Sequence, residues 1–491
     1  MELNKIMMGI SHELVAGDPD LEILQITSDS RAVEQGMLFI ALRGTVTDGH
    51  DFIPMAIEKG AAAILCEEVP EERVEGVAYL RVEHTDVVIG EVAANFYDHP
   101  SRQLKLVGVT GTNGKTTIAT LLYHLFSALG HKSGLISTVC VIIDGEKIPS
   151  RLTTPDALTL QKDLREMVDA GCEYAFMEVS SHAVHQHRIG GAYFRGGIFT
   201  NLTRDHLDYH GTFLNYLHAK QGFFDSLPKE AFALTNFDET NGMVMVQNSK
   251  AEVHTYALKR DADFKGKILE QHLDGTDLII NGRELYSRLV GTFNAYNLLA
   301  ICGAAILLGQ PEEEVLRIAS TLRSVDGRFQ TVTSPKGYVA IIDYAHTPDA
   351  LENVLGTIKE LQKNHGGRII TVVGAGGNRD AGKRPIMAAV SAKLSEIVIL
   401  TSDNPRKEDP DKIIDDMMEG LDEDMSRRTL RIANRRDAIR TACTMALPGD
   451  VILIAGKGHE TYQEINGVRH HFSDLEEVMK ITESEKGGSR N

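Results

Sequence analysis

A glycine-rich segment at residues 106–117, with the sequence LVGVTGTNGKTT, constrains the fold of this chain more than any other feature. It follows an apolar run of β type and precedes a helical pattern, which is the context of a phosphate-binding loop. Gly111 and Gly114 permit backbone conformations that bring amide groups close to an anion. The strict loop pattern places glycine at position 109, where this chain has Val109, and Gly108 comes one residue early. The segment still predicts ATP or GTP binding on a parallel α/β sheet.

Length, charge and cysteine content limit the remaining function classes. A chain of 491 residues is long enough for about three domains. Its net charge of −18 argues against a nucleic-acid-binding protein, whose phosphate contacts need a basic face. The N-terminus lacks a basic start followed by an apolar core, no apolar run approaches the ~20 residues that span a bilayer, and no two cysteines form a C-x-x-C pair. We therefore expect a cytoplasmic protein with reduced cysteines, no membrane insertion and no nucleic-acid partner.

Alternating strand and helix patterns divide the chain into three α/β domains. We expect a small N-terminal α/β domain over residues 1–98, a central P-loop domain with a parallel sheet over 99–333, and a C-terminal Rossmann-like α/β domain over 334–491. The segment SPKG at 334–337 indicates a hinge between the last two domains. The polar, glycine-rich tail at 483–491 predicts a frayed end.

Polar clusters follow the apolar strands at five places. They are EVSSH at 178–182, NLTRDHLDYH at 201–210, DYAH at 343–346, SDNPR at 402–406 and GKGHE at 456–460. Because ligands of open parallel sheets bind beyond the carboxyl ends of the strands, these clusters predict ligand sites.

Glu178 and His206 are candidate metal ligands. Considered singly, each is better explained as a hydrogen-bonded structural residue. As a pair beside a phosphate loop, they suit a Mg²⁺ or Mn²⁺ ion that bridges phosphates. The Thr116 hydroxyl suits the same ion, and Lys115 is spaced to reach the β- and γ-phosphates. No zinc spacing occurs among the histidines.

The segment GAGGNR at 374–379 matches a dinucleotide fingerprint only partly. Arg379 stands where the third glycine would be, and no acidic residue ends a strand ~20 residues later. We do not expect NAD binding. Arg379 and Arg406 are instead candidates for binding a carboxylated substrate.

Taken in order, these blocks resemble the Mur ligase family. The loop at 108–117 matches the family's phosphate loop, including its early first glycine. The other matching blocks are DSR at 29–31, TTP at 153–155, NAYN at 294–297, DGR at 326–328 and DNPR at 403–406, together with the clusters at 178–182, 201–210 and 343–346. The resemblance covers essentially the whole chain. It is strongest to the members that add 2,6-diaminopimelate to a UDP-muramoyl dipeptide.

This resemblance implies ATP-dependent amide synthesis during the formation of peptidoglycan precursors. The D-glutamyl carboxylate of the dipeptide attacks the γ-phosphate, and the amine of meso-diaminopimelate displaces phosphate from the acyl phosphate. Carboxylate and triphosphate repel each other, so the site must supply positive charge, for which Lys115 and Mg²⁺ are suited. We therefore expect Mg²⁺ as cofactor and ATP as co-substrate. We also expect a monomer that acts only on small-molecule substrates.

The resemblance also implies residue roles. Lys220, which alone is typical of a solvated lysine, matches the lysine that carries a carbamate in this family. The implied catalytic residues are Lys115, His206 and Lys220, and the implied metal ligands are Thr116, Glu178, His206 and Lys220 as a carbamate. The implied ATP-binding residues are Gly111, Thr112, Asn113, Gly114, Lys115, Thr116, Thr117, Asn294, Arg328 and Asp343. The N-terminal domain would bind UDP, and the residues implied for the UDP-muramoyl dipeptide are Ser30, Thr153, Thr154, Ser180, Gln186 and Arg188.

The block that contains Arg406 would select the amino acid. Family members that add diaminopimelate carry arginine at this position. Diaminopimelate differs from lysine by a carboxylate at its far end, which an arginine binds through two hydrogen bonds. Lysine would leave this arginine unpaired. The residues implied for diaminopimelate are Arg379, Asp403, Asn404, Pro405, Arg406, Gly456 and Glu460, with Glu460 taking an ammonium group.

Two alternatives remain open from the sequence. A folylpolyglutamate synthase shares the superfamily, but it would need neither the first domain with residues 29–31 nor the block at 403–406. A P-loop regulatory or transport NTPase would hydrolyse ATP without the muramoyl dipeptide. One departure from the family also stands: Leu152 replaces an asparagine that often precedes Thr153, so one contact to the sugar-peptide is in doubt.

Overall fold

The computed structural model describes residues 1–44, 47–203, 207–363 and 366–488. The chain forms two compact units. The first comprises residues 1–264 and 300–315, and the second comprises 265–299 and 316–491.

The N-terminal sheet of the first unit has the order β1-β5-β4-β3-β2. Its strands are β1 (Glu13–Ala16), β2 (Gln25–Thr27), β3 (Met37–Ile40), β4 (Ala63–Cys66) and β5 (Ala78–Arg81). Only the β1–β5 pair is antiparallel. The helices of this region are α1 (Leu3–Ile6), α2 (Ile53–Glu58), α3 (Thr85–Phe96) and α4 (Pro100–Gln103), with 3₁₀ helices at Ser30–Ala32 and Gly49–Phe52.

The central sheet of the first unit contains the glycine-rich loop. Its strands are β6 (Lys105–Thr110), β7 (Ser133–Ile136), β8 (Cys140–Ile143), β9 (Glu146–Pro149), β10 (Tyr174–Glu178), β11 (Gly196–Phe199), β12 (Phe232–Asn236) and β13 (Glu252–Ala257). They run in the order β13-β12-β11-β6-β10-β7-β8-β9, and all pairs from β13 to β7 are parallel. The helices are α5 (Lys115–Ala128), α6 (Ala157–Asp169), α7 (Ser181–His185), α8 (Leu207–His210), α9 (Phe213–Asp225) and α10 (Gly242–Val246). The predicted parallel P-loop sheet is confirmed.

The position of β6 explains where the functional side chains gather. Its neighbours are β10 and β11, with Glu178 opposite Val109 and Phe199 opposite Thr110. The carboxyl ends of all three strands therefore meet at the edge where the glycine-rich loop begins.

Three antiparallel strands and two helices follow. The strands are β14 (Phe264–Gln271), β15 (Thr276–Ile280) and β16 (Arg283–Ser287), and the helices are α11 (Thr292–Leu307) and α12 (Glu312–Ala319).

The large sheet of the second unit has the order β17-β18-β22-β19-β20-β21. Its strands are β17 (Gln330–Thr333), β18 (Val339–Asp343), β19 (Ile369–Val373), β20 (Ile397–Leu400), β21 (Thr429–Arg431) and β22 (Val451–Ala455), and β23 (Tyr462–Ile465) and β24 (Val468–His471) form a hairpin. All pairs of the large sheet except β17–β18 are parallel. The helices are α13 (Pro348–Gln362), α14 (Lys383–Leu394), α15 (Pro410–Met418), α16 (Glu423–Arg427), α17 (Arg435–Met445) and α18 (Asp474–Gly488). The expected Rossmann-like C-terminal fold is confirmed.

Two local expectations differ from the structure. The segment 334–337, predicted as a hinge, is the turn of the β17–β18 hairpin, so it lies inside a sheet. The tail predicted to fray is helical to Gly488. Glu485 anchors it, because its carboxylate accepts hydrogen bonds from Ser334 Oγ at 2.5 Å and from the Tyr338 hydroxyl at 3.2 Å. The domain boundaries at 98 and 333 stay predictions.

Within the described ranges, no helix has the length and apolar character needed to cross a bilayer. The expectation of reduced cysteines fits the five free thiols, four of which are buried.

Candidate active site

The glycine-rich loop turns sharply between β6 and α5. Gly111 has a φ of 145°, and a Cβ at this position would lie 1.9 Å from Thr200 Oγ1. Gly114 has a φ of 91° and precedes the first turn of α5. Both glycines are therefore required by the backbone path. Thr116 and Thr117 follow as buried residues of the first turn.

Gly108, the early glycine, has a packing role. A Cβ at this position would lie 2.6 Å from Phe223 Cζ and 3.0 Å from Phe194 Cε1. These rings fill the space beside β6, and the absence of a side chain at Gly108 allows them to pack directly against the strand. The loop itself begins only at Gly111.

The segment after β11 holds the loop in place. Thr112 N donates to the Asn201 carbonyl at 2.9 Å, and Asn113 N donates to Asn201 Oδ1 at 2.9 Å. Thr200 Oγ1 donates to the Asn113 carbonyl at 2.6 Å. Thr112 Oγ1 lies 3.1 Å from the Tyr216 hydroxyl of α9. A preorganised loop of this kind loses little entropy when it binds phosphate.

Two lysines bind the first carbonyl of the loop. Lys115 Nζ donates to the carbonyls of Gly111 and Thr112, each at 2.8 Å. Lys220 Nζ also donates to the Gly111 carbonyl at 2.8 Å and lies 4.8 Å from the centre of the Tyr216 ring. Lys220 is 1% exposed, so the interpretation of this residue as a solvated lysine is wrong. Its burial beside the phosphate loop was not evident from its helical sequence context.

Of the four predicted metal ligands, the structure describes Thr116, Glu178 and Lys220. Glu178 is 1% exposed at the end of β10, and its Oε1 accepts a hydrogen bond from Thr138 N at 2.7 Å. His206 lies outside the described residues. Glu178 and Thr116 offer oxygen atoms of the type that Mg²⁺ prefers, and both sit at the loop edge of the sheet. These donors fit a Mg²⁺ ion. Lys220 fits only if its ammonium is converted to an anionic group.

Five of the six residues predicted for the muramoyl dipeptide form one hydrogen-bonded network. Thr154 is its centre: its Oγ1 donates to the Glu178 carbonyl at 2.8 Å, and Ser180 N donates to this Oγ1 at 3.1 Å. The Thr154 carbonyl accepts from Arg188 Nη1 at 3.1 Å. Arg188 Nη2 donates to Gln186 Oε1 at 2.5 Å.

The remaining contacts join this network to the metal candidates. Thr138 donates its hydroxyl to Thr153 at 3.1 Å and its amide to Glu178. Ser30 lies apart, buried in the 3₁₀ helix after β2. The structure therefore joins the central-domain candidates and does not bring Ser30 into their network.

In the second unit, Arg328 and Asp343 share the carboxyl end of β18. Asp343 accepts hydrogen bonds from Phe329 N at 2.7 Å and Ala345 N at 2.8 Å. Burial raises the pKa of Asp343, while Arg328 acts in the opposite direction. The Arg328 guanidinium lies 4.7 Å from the centre of the Tyr344 ring.

The third nucleotide candidate of this unit, Asn294, is buried on α11. Its Nδ2 donates to the Val290 carbonyl at 2.9 Å, and its Oδ1 accepts from Asn297 at 3.1 Å. The amide is therefore held in one orientation.

The block at 403–406 and the loop after β22 form one polar cluster. Asn404 Nδ2 donates to Glu460 Oε2 at 2.8 Å. A Cβ at Gly456 would lie 2.6 Å from Asp403 Oδ2, so only glycine admits this carboxylate. Asp403, Asn404 and Pro405 are all buried. The structure brings these five predicted residues together.

Arg406 is held in an unusual conformation. Its φ is 51°. The Arg406 backbone N donates to the Glu464 carbonyl of β23 at 3.0 Å, and the Arg406 carbonyl accepts from Asn466 N in the following turn at 2.6 Å. Strain of this type is often retained at functional sites. Its Nη1 donates to the Gly377 carbonyl at 2.8 Å. A Cβ at Gly376 would lie 3.0 Å from this Nη1 and 3.7 Å from Arg379 Cγ, so both arginines border the same loop.

Lys457 is a further member of this cluster that was not predicted from the sequence. Its side chain is 0% exposed, and its Nζ donates to Glu460 Oε2 at 2.9 Å and to Asn404 Oδ1 at 3.1 Å. Asp403 Oδ1 lies 3.9 Å away. Its place in the GKGHE cluster was a signal, but nothing in the spacing shows that this lysine points inward.

Comparison with known proteins identifies the family. Three family models match: the Mur ligase family catalytic domain over residues 22–97, the Mur ligase middle domain over 109–305, and the Mur ligase glutamate ligase domain over 327–458. The UDP-N-acetylmuramoyl-L-alanyl-D-glutamate–2,6-diaminopimelate ligase of Phocaeicola vulgatus is 59% identical over 99% of this chain and 100% of its own length. The ligase of the same name from Bacteroides thetaiotaomicron is 58% identical over 98% of this chain and 100% of its own. A solved structure of a ligase with that name is 34% identical, has a TM-score of 0.71, and is matched over 99% of both chains.

Proposed function

This chain belongs to the Mur ligase family, and we propose that it is the ATP-dependent ligase that adds meso-2,6-diaminopimelate to UDP-N-acetylmuramoyl-L-alanyl-D-glutamate. The reaction serves peptidoglycan precursor synthesis. A carboxylate oxygen of the D-glutamyl residue attacks the γ-phosphorus, ADP leaves, and an acyl phosphate forms. The amine of diaminopimelate attacks the acyl carbon, inorganic phosphate leaves, and the nitrogen loses a proton.

The observation that carries this proposal is the polar cluster around Arg406. It combines two arginines with the Asp403 and Glu460 carboxylates, which suits a substrate with both carboxylate and ammonium groups. A substrate without the far carboxylate would leave the Arg406 guanidinium partly unpaired, which costs binding free energy. This charge pattern supports diaminopimelate over lysine as the incoming amino acid.

The first unit would perform the phosphoryl transfer. The loop amides between Gly111 and Thr117, with the N-terminus of α5, would bind the ATP phosphates. Lys115 would leave the loop carbonyls and bind the β- and γ-phosphates. The network around Thr154 and Arg188 would hold the dipeptide carboxylate in line for attack, which is catalysis by proximity. Ser30 would contact the uridine end. In the second unit, Asn294, Arg328 and Asp343 are proposed as nucleotide-binding residues.

A Mg²⁺ ion would supply charge neutralisation of the phosphates when it is bound. Thr116, Glu178 and His206 would hold it, together with Lys220 as a carbamate. Burial of Lys220 supports this role. An anionic carbamate on Lys220 would lie beside Lys115 and the Mg²⁺ ion, whereas an uncarbamylated Lys220 would place a second buried ammonium next to that of Lys115.

Neither alternative accounts for the same features. A folylpolyglutamate synthase has no need of the first domain or of the pocket at 403–406. A regulatory NTPase would have no use for the dipeptide network around Thr154. Both would also leave the full-length similarity to the diaminopimelate ligases unexplained.

Phosphate release from ATP tests the proposal. We expect turnover only when the UDP-muramoyl dipeptide, diaminopimelate and Mg²⁺ are all present. ATP turnover that is unaffected by the dipeptide and by diaminopimelate would contradict it.

A further inference from the structure

We propose that Lys457 is a positioning residue that orients Glu460 and Asn404 for the amino-acid substrate, an inference that rests on the proposed ligase function. This lysine is not among the site residues predicted from the sequence. Its ammonium is buried and contacts three polar members of the pocket.

Lys457 fixes the Asn404 amide. Asn404 Oδ1 accepts hydrogen bonds from Lys457 Nζ at 3.1 Å and from Glu464 N at 2.9 Å. An ammonium group can only donate, so these two donors force the oxygen toward them. The Nδ2 group then has to face Glu460, to which it donates at 2.8 Å. With the lysine removed, the amide loses one of the two donors that set its orientation.

Lys457 also decides which oxygen of Glu460 serves the ligand. Glu460 Oε2 accepts from Lys457 at 2.9 Å and from Asn404 at 2.8 Å. Among the described residues, no hydrogen bond reaches Oε1. Oε1 is therefore the oxygen that remains for a substrate ammonium group, while Oε2 is saturated by the protein.

Charge balance gives the lysine a further effect. Asp403 and Glu460 are two carboxylates in one partly buried pocket, and Lys457 lies 3.9 Å and 2.9 Å from them. The charge of the lysine offsets the electrostatic repulsion between the two carboxylates. Without the lysine charge and its hydrogen bond, repulsion from Asp403 favours rotation of the Glu460 carboxylate, and the oxygen that would bind the ammonium group is displaced. Lys457 thus acts on the amino acid through Glu460, without a bond to the substrate.

Kinetics of Lys457→Met, Glu460→Gln and the double variant test this role. We expect Lys457→Met to raise KM for diaminopimelate by about tenfold or more, with KM for ATP within about twofold of the wild type. Lys393→Met, an exposed lysine on α14, is the matched control and should leave both values unchanged.

The double variant keeps the test valid if Lys457→Met folds poorly, because it also removes the uncompensated carboxylate. If Lys457 acts through Glu460, the double variant has the same KM for diaminopimelate as Glu460→Gln alone. Additive losses in the double variant would overturn the proposal, as would a parallel rise of all KM values or an unchanged KM in Lys457→Met. A wild-type enzyme without diaminopimelate-dependent phosphate release would instead contradict the ligase function itself.

Discussion

Lys115 and Lys220 donate hydrogen bonds to the same acceptor, the carbonyl oxygen of Gly111, and each N···O distance is 2.8 Å. The two ammonium groups therefore lie within two hydrogen-bond lengths of each other, and Lys220 is buried there. Two like charges this close repel strongly where water is scarce. Conversion of Lys220 to an anionic carbamate would replace this repulsion by attraction and would supply an oxygen ligand for a metal ion.

Substitution of Lys220 tests this interpretation. Lys220→Ala should lower kcat by about a hundredfold or more, because the proposed carbamate ligand of the metal ion would be lost. A short carboxylic acid such as acetate should restore part of the activity by filling the space of the carbamate. Lys229→Ala, an exposed lysine just after α9, should behave as the wild type. Full activity of Lys220→Ala without added acid would refute the role of this lysine.

The loop glycine Gly111 gives a second prediction. In Gly111→Ala, the new methyl group would meet Thr200 Oγ1 at 1.9 Å while φ stays at 145°. The loop has to move, and kcat/KM for ATP should fall by about a hundredfold. Gly130→Ala is the control, since its φ is 91° but nothing lies within 4 Å of the new atom. It should lose some stability and keep its ATP kinetics. Equal ATP kinetics in both variants would show that the loop path at Gly111 is not needed.

The guanidinium of Arg406 gives a third prediction. Arg406→Ala should raise KM for diaminopimelate by about a hundredfold, because two charge-assisted hydrogen bonds to the far carboxylate are lost. Its preference for diaminopimelate over lysine should shrink by a similar factor. Arg427→Ala removes an exposed arginine of the same unit and should change neither value. Wild-type kinetics with diaminopimelate in Arg406→Ala would exclude this residue as the selector.

The sequence predicted the sheets and the phosphate loop well, because strand and loop patterns are local. Glu178 could be placed at a strand end from the sequence pattern and Thr154 beside the substrate only from the family resemblance, and the structure joins the two residues. Lys220 was assigned to the site only through the family resemblance, and Lys457 was not assigned at all, since the inward direction of a lysine depends on partners far along the chain. Gly111 binds Lys220 across 109 positions, and Asn404 binds Lys457 across 53. The fraying predicted for the tail was wrong for the same reason. Ser334 and Tyr338, which hold Glu485 in place, lie about 150 positions earlier in the chain.

The pH dependence of stability gives a fourth prediction. Burial, and secondarily Arg328, lowers the pKa of His459 from 6.5 to about 4. Between these values the unfolded chain binds a proton at His459 and the folded chain does not. The free energy of unfolding therefore falls as the pH drops from 6.5 toward 4, and the full contribution is present above pH 6.5.

Urea unfolding of wild type and His459→Gln at about pH 7.5 and about pH 5 measures this contribution. The wild type should lose roughly 1–2 kcal/mol more than the variant over this interval. Equal losses in both proteins would show that His459 titrates normally in the folded state.

The identity of the peptide product tests the proposed ligase activity together with its choice of amino acid. The enzyme is incubated with ATP, Mg²⁺, UDP-N-acetylmuramoyl-L-alanyl-D-glutamate and an equimolar mixture of meso-diaminopimelate and L-lysine, and the products are identified by mass spectrometry. We predict a UDP-muramoyl tripeptide that contains diaminopimelate, formed together with stoichiometric ADP and phosphate. A tripeptide that contains mainly lysine, or ADP formed without any tripeptide, would contradict the proposed function.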